Sequence, residues 1–140
     1  MKILVPVDGS EYSLKAVESA CDLAKAQPFS ALILMSVGIE LPELEEGRYI
    51  ADKMKAQAQA ALVQSKQAAL AKDSTLKVDT LLATGASPAE EIVKAAKDQK
   101  ADLIVIGSRG LAGKTSSFLG STASKVVTYS PCSVLVVKSD

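Results

Sequence analysis

Histidine and tryptophan are both missing from this 140-residue chain, and cysteine occurs only twice, at Cys21 and Cys132. Without histidine, a zinc site of the usual Cys/His type and a Cys–His catalytic pair are excluded on inventory. The two cysteines lie far apart, one on an apolar helical face and one just before a strand, and read as buried thiols with no bridge between them. Aromatic residues amount to three Tyr and two Phe, too few for the stacking platforms that hold single-stranded nucleic acid. Charge of one sign is not in excess either: sixteen basic and sixteen acidic side chains cancel, which leaves no footprint for nucleic acid or for an anionic membrane surface. No apolar run reaches the length of a bilayer span, and no signal peptide precedes the first strand. The resulting expectation is a cytoplasmic protein, one domain over residues 1–140, large enough to bury a core without disulfides or metal.

What the chain does have is a glycine-punctuated stretch, Gly107 to Thr122, GSRGLAGKTSSFLGST. It follows Leu103-Ile104-Val105-Ile106, a continuous apolar run suited to a strand buried on both faces, and precedes a helical pattern at Ala123, Val126 and Val127. Glycine admits positive φ and close approach, and a loop running into a helix N-terminus offers N–H groups and a positive dipole end to phosphate. Two familiar phosphate motifs do not fit. Gly113-Lys114-Thr115 resembles the end of a P-loop, but the first glycine of that motif would have to stand at Ser108. The dinucleotide pattern G-x-G-x-x-G is absent.

In order, the chain alternates apolar runs with helical patterns. Ile3–Val7 is a first strand, with Pro6 near its end because proline cannot donate to a ladder. Asp8-Gly9-Ser10 turns the chain, and Ser10 caps a helix carrying Leu14, Val17, Cys21 and Ala24 that stops before Pro28. Ala31–Met35 is the second strand, closing on Ser36-Val37-Gly38. An irregular segment from Gly38 to Arg48 follows, whose Glu40, Glu43, Glu45 and Glu46 read as a solvated loop. A long helix over 49–72 faces inward with Ile50, Met54, Ala58, Leu62 and Ala69, Met54 being core. Leu76–Leu82 has the half-polar pattern of a sheet edge. Ser87-Pro88-Ala89-Glu90 is a capping box that opens a helix carrying Ile92, Val93 and Ala96. The glycine loop then leads to a helix ending near Tyr129, and Val134–Val137 is the last strand. Five strands alternating with four helices predict a doubly wound α/β fold with a five-stranded parallel sheet.

The spacing Gly107, Gly110, Gly120 with Ser121 next to it is G-x2-G-x9-G-[ST]. Together with Val5-Pro6-Val7-Asp8-Gly9-Ser10 and Pro131-Cys132-Ser133-Val134-Leu135-Val136-Val137, it resembles the universal stress protein family, and more narrowly its ATP-binding branch, from Lys2 to Lys138. The resemblance implies strand order 3-2-1-4-5, a Rossmann-like sheet with strands one and four adjacent at its switch point, where Val7-Asp8 and Ile106-Gly107 meet. It also implies an adenine nucleotide there: ATP, or AMP or ADP, with any Mg2+ held mainly by phosphates and water. Pro6 and Val7 would line the base pocket beside Val37, whose main chain reads the adenine edge, and Asp8 would contact the adenosine end. Gly107 and Gly110 would let the loop wrap the sugar and phosphates, while Gly120, Ser121 and Thr122 present N–H groups and hydroxyls to phosphate. Ser121 also reads as the cap of the last helix. Arg109 and Lys114 are open between phosphate neutralisation and plain solvation. Lys114-Thr115-Ser116-Ser117 is more polar than the loop common in the family, and Ser133 stands where a second proline is frequent.

Three functions remain in view: a nucleotide-dependent regulatory module acting as a dimer, a slow ATP hydrolase or phosphotransferase, and a structural stress protein that binds no nucleotide. The first is preferred, with no catalytic residue and no metal-ligating side chain assigned, because the recurring parts of phosphoryl-transfer sites are missing. Four apolar β-formers at the outer edge, Val134, Leu135, Val136 and Val137, predict a homodimer through the last strand, as the resemblance also implies.

Overall fold

The computed structural model describes residues 1–40, 45–109 and 120–138, with the backbone alone at 45–48. The elements run β1 (Lys2–Pro6), α1 (Glu11–Ala26), β2 (Ala31–Ile39), α2 (Glu45–Lys72), β3 (Lys77–Gly85), α3 (Pro88–Asp98), β4 (Leu103–Gly107), α4 (Ser121–Tyr129) and β5 (Ser133–Val137). All strand pairs are parallel, in the order β3-β2-β1-β4-β5. The expected doubly wound sheet is therefore present, with β1 and β4 at its centre.

Side chains alternate across each strand, so a continuous apolar run feeds two cores. Ile3 and Val5 of β1, Val7 just past its end, Leu32 and Leu34 of β2 and Val105 of β4 join Val17, Cys21 and Leu62 of α1 and α2. Leu4, Ile33, Met35, Ile104 and Ile106 point the other way, against Ile92 of α3 and Val126 of α4. The helices start and stop where local chemistry says. The Ser10 hydroxyl accepts from the Ser13 N–H at 3.2 Å, and α1 ends at Ala26 with Gln27 extended before Pro28. The Ser87 hydroxyl likewise accepts from the Glu90 N–H at 3.3 Å, with Pro88 in the first turn. On the outside of α1 and α2 an exposed pair, Lys72 Nζ to Asp22 Oδ1 at 2.8 Å, ties the two helices together. The hydrogen bond from Lys72 holds the Asp22 carboxyl below its ordinary range.

Several boundaries move. β2 runs four residues past Met35, to Ile39, because β3 continues beside it with Ser36 opposite Leu82 and Ile39 opposite Gly85. Ser36 and Gly38 interrupt the apolar run, but ladder pairing carries the strand through them. α2 begins at Glu45, inside the segment expected to be irregular, while residues 41–44, including Pro42 and Glu43, lie outside the described part. On α2, Ala58, Leu62 and Ala69 are buried as expected and Ala61 and Ser65 join them. Ile50 is 43% exposed, so the inward face is rotated from the one predicted. Leu14 and Val93 are only half-buried, their places in the core taken by Ala16, Ala20 and Ala95. Val127 is 46% exposed, leaving Ala123 and Val126 as the buried residues of α4.

Candidate ligand site at the sheet switch point

The site begins with a missing N–H. Hydrogen bonds from Val7 N–H to the Met35 carbonyl (2.8 Å) and from Ala31 N–H to the Met1 carbonyl (2.9 Å) show that odd-numbered residues of β1 turn their peptide groups toward β2. Even-numbered residues, Pro6 among them, therefore face β4. The β1–β4 register runs only through Ile3–Leu103 and Leu4–Ile104, and the next ladder bond would need the N–H that Pro6 lacks. Above that point the two central strands part, β4 following β5 through Gly107 and Val137. The opening is a cavity of about 750 Å³ at the carboxyl ends of the strands.

Every predicted site residue that lies in the described part borders this cavity. Pro6, Val7 and Asp8 enter from the end of β1, and Val37 from β2. Ile106, Gly107 and Arg109 come from the end of β4, and Gly120, Ser121 and Thr122 from the start of α4. Gly110 and Lys114 belong to residues 110–119, outside the described part. Sequence reading missed the walls: Met54, Gln57 and Ala58 of α2 on one face of the sheet, Pro88 and Ile92 of α3 on the other. Met54, expected in the core, is half-buried at this wall. One sequence signal for the α2 wall is Gly38, where a Cβ would stand 3.2 Å from the Lys55 Cα, so the glycine lets the first half of α2 lie directly on β2.

Local bonding sets what each edge of the cavity offers. Asp8 Oδ1 accepts from the Ser10 N–H at 3.0 Å and from the Ser10 hydroxyl, and the Asp8 N–H donates to Ser13 Oγ at 3.3 Å. Ser13 in turn donates to the Ser10 carbonyl at 3.0 Å, so the carboxylate is held by a small hydroxyl network built on Gly9 at φ 87°. The Ser36 hydroxyl donates to the Val7 carbonyl at 2.7 Å. Since Met35 turns its carbonyl toward β1 and Glu40 donates to Gly85 of β3 at 2.9 Å, the N–H and C=O of Val37 point toward the β1 side, beyond the last β1–β2 pair. That peptide is a donor–acceptor pair at the cavity edge.

At the opposite end α4 starts without a side-chain cap. Its N-cap is Gly120, not Ser121, which is the first helical residue; the cap role expected for Ser121 is corrected accordingly. The Gly120 N–H donates to the Ser108 carbonyl at 2.7 Å, and the first helical bond runs from Ser124 N–H to the Gly120 carbonyl at 3.0 Å. The N–H groups of Ser121, Thr122 and Ala123 precede that bond and sit at the positive end of the helix dipole. α1 and α3, by contrast, spend a serine hydroxyl on the same task.

The glycines have packing reasons. A Cβ on Gly107 would lie 2.8 Å from the Tyr12 carbonyl oxygen, so its absence lets α1 close against the end of β4. A Cβ on Gly120 would lie 3.1 Å from the Ser108 carbonyl oxygen. Away from the cavity, Cys21 is wholly buried and burial pushes its thiol up, while Cys132 is half-buried; both are free. Among the described residues no group of three or more His, Cys, Asp or Glu side chains could hold a metal ion, and no helix is long and apolar enough to cross a membrane.

A doubly wound parallel sheet that opens at its switch point, with a helix N-terminus at one side of the gap, defines a class of ligand-binding α/β proteins. Within that class the chain belongs to the universal stress protein family, which it matches over residues 1–138. It is 37% identical to Universal stress protein MJ0531 of Methanocaldococcus jannaschii, over 98% of this chain and 81% of that protein. Among solved structures it is similar to universal stress protein UspA from Lactobacillus plantarum, at 31% identity and a TM-score of 0.85, covering 98% of this chain and 97% of that one. It is also similar to a universal stress protein crystallised in complex with cAMP, at 28% identity and a TM-score of 0.75, covering 98% of this chain and 96% of that one.

Proposed function

We propose that this protein is a single-domain, cytoplasmic universal stress protein of the ATP-binding branch, in which an adenine nucleotide occupies the cavity between β1 and β4 and regulates a homodimer. The observation that carries the reading is the pairing of two unlike edges across one cavity. The Val37 peptide and the apolar ends of β1 and β2 suit a base, while the cap-free start of α4 suits phosphate. A similar protein crystallised with cAMP supports an adenine nucleotide as the ligand class. Asp8, held through Ser10, contacts the adenosine end; Ser121 and Thr122 meet the phosphates, with Arg109 beside them. Any Mg2+ is carried mainly by phosphate oxygens and water. Binding is favoured over catalysis because Asp8, the carboxylate lining the cavity, is engaged with Ser10 at the β1 end, away from α4.

Calorimetric titration with ATP, ADP and AMP tests the reading. The wild-type chain is expected to bind at a stoichiometry near one. Gly120→Val is expected to abolish binding, since its Cβ presses on Ser108 and displaces the first N–H groups of α4. A wild-type chain that takes up none of the three overturns the proposal.

A further inference from the structure

The cavity has an amide whose use the preceding assignment leaves open. Gln57 stands on the α2 wall between Met54 and Ala58, and all three line the cavity. It is there because Gly38 lets α2 rest on β2, with the Lys55 backbone 3.2 Å from where a Cβ would be. Residues three and four apart share a helix face, and helical side chains lean toward the N-terminus. Position 57 therefore covers the space over the Met54 turn, on a cavity that Val37 and Ile39 also line. The other polar side chains at this end are occupied. Ser36 donates to the Val7 carbonyl, Ser13 to the Ser10 carbonyl, and Asp8 Oδ1 accepts twice from Ser10. Among the described residues the side chain of Gln57 is engaged in no hydrogen bond. It places one acceptor and two donors against a wall that is otherwise apolar.

We infer that Gln57 determines base specificity at this site, reading the edge of adenine that carries its exocyclic amine. Its amide oxygen accepts from that amine and its amide nitrogen donates to N7, the two-point pairing by which Gln or Asn selects adenine. Guanine and hypoxanthine carry a carbonyl oxygen in place of the amine, so the amide oxygen would face another acceptor. The mismatch replaces a hydrogen bond with two opposed acceptors. The Val37 peptide and Gln57 then engage the base from β2 and from α2, which fixes its orientation before the phosphates reach α4. This inference rests on the adenine-nucleotide reading above.

The test titrates wild type, Gln57→Leu and Gln57→Ala with ATP and with inosine triphosphate, which carries a carbonyl oxygen where ATP has the amine, and a proton on N1. Wild type is expected to prefer ATP by about tenfold or more, within the range for one two-point base contact. Both variants are expected to lose affinity for ATP while holding that for inosine triphosphate, so that the preference collapses toward one. Because Gln57 is exposed on a helix of strong formers, neither variant disturbs the fold, and unchanged thermal unfolding verifies this. A wild type without preference, or variants that bind ATP and keep the full preference, overturn the inference and leave nucleotide binding standing. A wild type that binds neither triphosphate overturns the nucleotide reading and this one with it.

Discussion

Pro6 and Gly107 both line the cavity between the central strands, and each shapes it by lacking something. Pro6 has no N–H to extend the β1–β4 ladder beyond Leu4–Ile104, and Gly107 has no Cβ to hold off the Tyr12 carbonyl of α1. The glycine spacing was legible in the sequence, as was the position of Pro6 near a strand end. The partner of Gly107 was not, because Tyr12 is brought to it only by the crossover that returns β4 beside β1. A role in ligand approach alone would make Gly107→Ala harmless to the empty protein. The contact with Tyr12 predicts instead a loss of about 1–3 kcal/mol, the range for forcing an extra methyl into a packed site. Thermal unfolding of the ligand-free variant checks this: a melting temperature several degrees below wild type is expected, and an unchanged one removes the packing role.

At the scale of elements, the four helices and five strands were all legible, since apolar runs and 3.6-residue faces survive in a doubly wound fold whose core has two sides. What the sequence hid was how far β2 and β3 run and where α2 starts, because those limits depend on pairing and docking between segments and only weakly on local composition. The walls of the cavity were hidden for the same reason. In the sequence Met54 reads as core and Gln57 as an ordinary member of a long polar helix, and the seat at Gly38 turns both toward the site. The last strand carries a sharper consequence. Ser108 N–H donates to the Val137 carbonyl at 2.9 Å, so odd-numbered residues of β5 face β4 and the N–H of Val136 points to the outer edge. With Leu135 also 39% exposed, this is the edge through which the proposed homodimer would pair. Val136→Pro deletes an outward donor and spares the β4 ladder, and is expected to convert a wild-type dimer into a folded monomer. Sedimentation of both proteins at high concentration decides it: a wild-type monomer, or a proline variant that stays dimeric, contradicts pairing through this strand.

For the whole molecule, the arrangement amounts to a sheet that splits at its topological switch point and presents two chemically unlike edges there. The order β3-β2-β1-β4-β5 brings together the ends of β1, β2 and β4 with the start of α4, segments that are distant in the chain. Membership of the universal stress protein family fits that architecture over residues 1–138. The proposed placement of base and phosphate rests on bonding within the site, where Val37 offers a peptide and α4 offers N–H groups without a side-chain cap. The central claim is that an adenine nucleotide fills this cavity. Its most direct test is to purify the protein without added nucleotide, denature it, and identify by chromatography and mass spectrometry any small molecule released. An adenine nucleotide near one per chain is the predicted result; a protein that releases none, and that takes none up when ATP is supplied in excess, would contradict the account.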